Sequence, residues 1–169
     1  IFEMTTPSSL ILALESSCDE TAASVVRDGR VILSNVIATQ HKLHVEYGGV
    51  VPEIASRAHI EKILPVIDQG LKQAGVTFED LDAIAVGNRP GLIGSLLIAV
   101  SAAKSLAWSL GKPLIGVDHV QAHLYAADLV SDADVVLDDP AYPALGLVVS
   151  GGHTCLYHVT SALHMSKLG

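Results

Sequence analysis

The chain has 169 residues, half of them hydrophobic and 17% charged, with a formal net charge of −8. That length suits one domain, or one lobe of a larger protein. The acidic balance excludes a non-specific DNA binder, although RNA contacts through a local basic strip or a partner subunit stay possible.

Aromatic residues make up 4%, so Ala, Val, Leu and Ile carry the core. That mixture fits close helix–sheet packing in an α/β fold better than a β-sandwich. Cys18 and Cys155 lie far apart and form no CxxC pair, so neither a disulfide framework nor a cysteine zinc site is expected. A reduced, cytoplasmic setting is the simplest reading. Residues 1–9 read as a flexible N-terminus or leftover expression sequence, with Met4 as the natural start. The apolar run Leu10–Leu14 is short and lacks a basic leader, so it reads as a strand and not a signal peptide. No stretch is expected to reach the roughly 18 apolar residues of a membrane helix, so no membrane association is expected.

Leu10–Glu15 is a continuous apolar run, as in a central strand buried on both faces. Ala22–Val26 and Val31–Ile37 follow as strands, joined through Asp28-Gly29, a strong type I′ hairpin signal. His41–Gly49 reads as a loop. From Pro52 the apolar residues take helical spacing as far as Gly75; Pro65 predicts a kink or break inside that helix. Ala83–Val86 is a short strand, Asn88–Gly91 a turn, and residues 92–110 a helix with Leu96, Leu97, Val100, Ala103, Ala107 and Leu110 as its buried stripe. Leu114–Val117 is a further strand. Asp118 is an N-cap for a helix over about 119–130. Ser131–Pro140 is an acidic surface loop, Ala144–Val149 and Thr154–Val159 are strands about Ser150–His153, and Ser161–Gly169 shows no pattern. Three hairpin-linked strands followed by α/β crossovers imply a mixed sheet with helices on its faces.

Three segments carry candidate chemistry. His119 and His123 stand at i and i+4, about 40° apart in projection on a helix, which lets two imidazoles share one metal ion. Their helix opens directly after a strand, where α/β folds place ligands, and Ala122 and Ala126 leave room beside the rings. Gln121 between them removes the glutamate base of a zinc protease. Alternatively, the pair caps a helix start or packs on the sheet. Ser150-Gly151-Gly152-His153 could let backbone N–H groups approach a phosphate, or could be an ordinary hairpin turn. Glu15-Ser16-Ser17-Cys18-Asp19-Glu20-Thr21 places a carboxylate and small hydroxyl residues at the end of the first strand. Turns of this kind cradle phosphate in actin-like and sugar-kinase-like ATPases; the alternative is a polar turn that satisfies its own backbone. Pro90–Ser95 opens a helix whose N–H groups could face an anion, or its glycines serve tight helix–sheet packing.

Together the runs LALESSCDETAASVV, GGVVPEIASRAHIEKILPVI, RPGLIGSLLIAVSAAKSLAWSLGKPLIGVDHVQAHLYA and LVVSGGHT resemble the TsaD family, over about residues 10–157. Each piece is weak alone, but the joint order and spacing are specific. The family has also been labelled Gcp or O-sialoglycoprotein endopeptidase. The resemblance implies an α/β fold of the actin-like ATPase (ribonuclease H-like) class, with residues 10–130 as the N-terminal lobe. Residues 131–169 would be an acidic loop and the first hairpin of a second lobe that is otherwise missing. It implies transfer of a threonylcarbamoyl group from threonylcarbamoyl-AMP to N6 of adenosine 37 in tRNAs that read codons starting with A. It assigns His119 and His123 to one divalent iron or zinc ion, and Val148, Val149, Ser150, Gly151, Gly152 and His153 to the adenylate. Glu15 and Ser17 fall in the catalytic first turn, with ATP or ADP as a possible further ligand. Expected partners are tRNA, TsaB-like and TsaE-like proteins, and a TsaC-type enzyme that makes the adenylate.

This chain departs from the family's pattern at Gln121, where Glu is common, at Asp118, where Asn is common, and at Arg89, where Gly often stands. With the second lobe and its aspartate ligand missing, a 169-residue piece is expected to be inactive alone. Competing readings are a metallo-endopeptidase, an inert TsaB-like scaffold, which would lack the histidine pair, and an actin-like kinase or carbamoyltransferase acting on a small molecule.

Overall fold

The computed structural model describes residues 8–132, 135, 141–150 and 154–169. Strands β1 (Leu10–Glu15), β2 (Glu20–Arg27) and β3 (Val31–Thr39) form an antiparallel meander. Asp28 and Gly29 turn the β2–β3 hairpin with φ of 54° and 69°, the two positive values that a type I′ turn requires. β4 (Ala83–Arg89) runs parallel to β1, and β5 (Leu114–Asp118) runs parallel to β4. The order β3-β2-β1-β4-β5 puts the most apolar strand at the centre of a mixed sheet, the α/β lobe expected from the sequence.

Helices α2 (Pro52–Ala74) and α3 (Ile93–Leu110) pack together on one face of this sheet. Leu12, Leu14, Val25 and Ile84 from the strands meet Ile63, Ile67, Ala99 and Ala103 from the helices. Each large aliphatic side chain buried there contributes about 1.5–3 kcal/mol. The buried stripe of α3 is Ser95, Ala99, Ala103 and Ala107, and Leu97 is exposed. Ala103 and Ala107 are thus buried as expected and Val100 and Leu110 pack at the margin of the core, but Leu97 is not in the stripe: small residues four apart let the helix backbone approach the sheet. The expected lack of a membrane-length segment is also corrected, because α3, at 18 residues and mean hydropathy 1.5, is long and apolar enough to cross a membrane.

Of the kink or break expected at Pro65, the break does not occur: α2 runs on through it. Pro65 and Glu61 are both exposed, so the carbonyl that loses its N–H partner meets water and not the core. The loop after β3 is partly helical, with α1 (His41–His44) and a 3₁₀ turn Val45–Tyr47. α4 (His119–Tyr125) is shorter than expected and passes into a 3₁₀ turn, Ala126–Asp128.

A second antiparallel sheet holds β6 (Ala144–Val149), β7 (Thr154–Ser161) and β8 (His164–Lys167). β8 had no signal in the sequence, since an edge strand of His, Met, Ser and Lys carries neither β-branched nor aromatic residues. Val120 of α4 packs with Val148, Cys155, Tyr157 and Val159 of this sheet. The face of the first sheet opposite α2 and α3 is where α4 begins and where the candidate residues meet.

Candidate functional site

Four of the sequence-selected residues converge. Glu15 ends β1, Ser17 lies in the turn that follows, and β5 delivers His119 and His123 on α4. Asp118 caps α4, its side chain accepting from the N–H groups of Val120 and Gln121 at 3.0 and 3.1 Å. A capping bond of this kind is worth about 1 kcal/mol and fixes the first turn, on which His119 sits. Arg89 reaches the other Asp118 oxygen at 3.4 Å, so two residues that depart from the family's pattern pair with each other.

His119 Nδ1 lies 3.1 Å from Glu15 Oε2 and 3.4 Å from Ser17 Oγ. A carboxylate only accepts, so Nδ1 carries the proton and donates to Glu15. Burial alone would push the Glu15 carboxyl up, but bonds from His119 and Ser17 outweigh it and hold the group below the usual carboxylate range. The bond to Glu15, against the effect of burial, raises the His119 imidazole. The Ser17 backbone N–H also donates to Glu15. Gly87 of β4 permits this arrangement, since a Cβ there would collide with the Glu15 carboxylate.

With Nδ1 engaged, His119 Nε2 faces His123 Nε2 at 3.3 Å, the two rings 82° apart. Two arrangements satisfy that contact: His123 Nε2–H donating to His119, or a cation replacing the proton. Two nitrogens each about 2.0–2.1 Å from a tetrahedral ion stand about 3.4 Å apart, so the observed spacing fits a shared metal. A carboxylate that holds the distal ring nitrogen of a metal-binding histidine is the usual support for such a ligand. Among the described residues no third His, Cys, Asp or Glu joins the pair. The two histidines therefore fit as ligands that would hold a metal ion. A cavity of about 290 Å³ lies beside them, lined by Glu15, His119, His123, Gly87, Ala122 and Ala126; the alanines leave the room anticipated from the sequence.

The expected adenylate segment is only partly visible. Val148 is buried in the second sheet's core, whereas Val149 and Ser150 are exposed at the end of β6. Gly151, Gly152 and His153 lie outside the described residues.

The sequence reading missed His59. It is fully buried, with Nδ1 2.8 Å from Thr21 Oγ1 and Nε2 3.1 Å from the Cys18 carbonyl. Its signal was available: position 59 falls on the stripe of Ala55, Ile63 and Ile67 that α2 buries, and a polar ring there needs partners.

The fold is similar to YeaZ from Pseudomonas aeruginosa, with a TM-score of 0.58 at 21% identity over 95% of this chain and 65% of that one. In sequence the chain is 56% identical over 165 residues to the tRNA N6-adenosine threonylcarbamoyltransferase of Rhodopirellula baltica, covering 98% of this chain and 45% of that relative. It is 58% identical over 147 residues to the protein of the same name from Protochlamydia amoebophila, covering 87% and 41%. The chain thus spans less than half the length of the curated relatives it matches. The family model of TsaD, tRNA N6-adenosine threonylcarbamoyltransferase, matches residues 31–169, and the chain belongs to that family.

Proposed function

We propose that this chain carries the metal-binding part of a cytoplasmic tRNA threonylcarbamoyltransferase, which moves the threonylcarbamoyl group of threonylcarbamoyl-AMP to N6 of adenosine 37. The observation that carries the reading is the approach of His119 and His123 through their Nε2 atoms, backed by Glu15. These two residues would hold a divalent iron or zinc ion, which supplies a Lewis acid for the carbamoyl oxygen. The donor is a mixed anhydride and already activated. N6 attacks the carbamoyl carbon, the bond to the phosphate oxygen breaks, AMP leaves and N6 loses a proton, so no protein nucleophile is required.

This chain's residues supply position. Glu15 holds His119 in the tautomer that leaves Nε2 free, which makes it a positioning residue. Ser17 places its hydroxyl beside the same ring. The end of β6 at Val149 and Ser150 would lead into the adenylate loop with Gly151, Gly152 and His153. The family implies tRNA as acceptor, TsaB-like and TsaE-like proteins as partners, and a TsaC-type enzyme as source of the adenylate. Nothing in the geometry favours a protease, since Gln121 offers no base.

Transfer of a radiolabelled threonylcarbamoyl group to tRNA by the full-length protein tests this reading. His123→Ala is expected to reduce transfer by roughly a hundredfold or more. Undiminished transfer, or transfer to tRNA lacking adenosine 37, would overturn it.

A further inference from the structure

The turn between β1 and β2 presents Glu15 and Ser17 to His119, and three different elements hold it by three consecutive carbonyls. The Ser17 carbonyl accepts from Leu92 N–H, just ahead of α3, at 2.8 Å. The Asp19 carbonyl accepts from Gln40 N–H, just after β3, at 3.0 Å. The Cys18 carbonyl between them accepts from His59 Nε2 on α2 at 3.1 Å. The outer two donors belong to the backbone. The middle one belongs to a side chain that is fully buried.

The partners fix the state of that ring. A carbonyl only accepts, so Nε2 carries the proton, and neutral Nδ1 then accepts from the Thr21 hydroxyl. Thr21 is itself fully buried at the start of β2. His59 therefore ties α2 to the middle of the turn at Cys18 and to the strand that follows it at Thr21. Leu92 N–H and the close seat of Gly91, where a Cβ would lie 2.6 Å from the Ser17 carbonyl, lock the other side. A carboxylate orients a metal-binding histidine only when the carboxylate itself cannot swing away.

We propose that His59 is a positioning residue of the metal centre: by donating to the Cys18 carbonyl it fixes the turn that aims Glu15 and Ser17 at His119. The proposal rests on the metal reading of His119 and His123, and two variants with a readout independent of metal keep the two claims separable. In His59→Gln the longer amide keeps a donor near the place of Nε2. In His59→Asn the shorter amide keeps a partner for Thr21 but falls short of Cys18. Zinc affinity is measured by titration, and the ring nitrogens of His119 are followed by ¹⁵N NMR in the metal-free chain.

His59→Asn is expected to bind zinc roughly tenfold more weakly and to lose the single Nδ1–H signature of His119, whereas His59→Gln stays close to wild type in both. Equal zinc affinity and equal His119 spectra in the two variants would overturn the proposal, even if both unfold at a lower temperature than wild type. A wild-type chain that binds no zinc would overturn the metal reading instead, and the His119 spectra of the variants would then decide the positioning role.

Discussion

His119 and Glu15 are 104 positions apart in the chain, yet the site depends on their bond. The i, i+4 spacing of His119 and His123 is visible in the sequence because both sit on one short helix. Their support is not visible, since it requires β1 and β5 to end at the same edge of the sheet. His59 shows the same limit. Its place on the apolar stripe of α2 is legible, but its partners on β2 and the turn follow only from the packing of α2 on the strands. Burial pushes the His59 imidazole below its ordinary value of 6.5, and the Cys18 carbonyl offsets this only in part. A depressed folded-state value means that the unfolded chain binds the proton more readily. The stabilisation from neutral His59 is therefore full above pH 6.5 and is lost as the pH falls through the lower, folded-state value. Thermal unfolding at pH 7.5 and pH 5 checks this: wild type is expected to lose more stability on acidification than His59→Gln. A parallel loss in both proteins would show that His59 is not the group responsible.

At the scale of elements, the meander and the β4 and β5 crossovers are legible because the apolar runs and the Asp28-Gly29 turn are strong local signals. The packing of α3 is legible only in part, through Ala103 and Ala107. Leu96 and Leu97 are the more hydrophobic residues, but the sheet selects the alanine row for closeness, a preference set by the partner surface. β8 is hidden for a related reason, because its pairing with β7 and not its own composition makes it a strand. Pro65 separates local from tertiary effects. It removes one helical N–H and yet α2 runs on, because packing on β2 and β3 holds the helix on either side. Pro65→Ala restores that donor at an exposed position and is expected to stabilise the chain by about 1–3 kcal/mol, less whatever entropy the unfolded chain regains. Urea unfolding measures this; a lower midpoint in the variant would mean that the proline ring packs to advantage.

At the scale of the whole molecule, the described residues provide a pair of facing histidines supported by Glu15, which the proposed function assigns to a metal ion. The chain also matches only 45% of the Rhodopirellula baltica relative. The proposed function depends on one ion shared by the two facing nitrogens. The most direct test is zinc titration of the wild-type chain beside His119→Ala and His123→Ala, with circular dichroism to verify the fold of each. One ion per wild-type chain, with affinity falling roughly a hundredfold or more in either variant, is the predicted result. Zinc binding that survives both substitutions unchanged would contradict it.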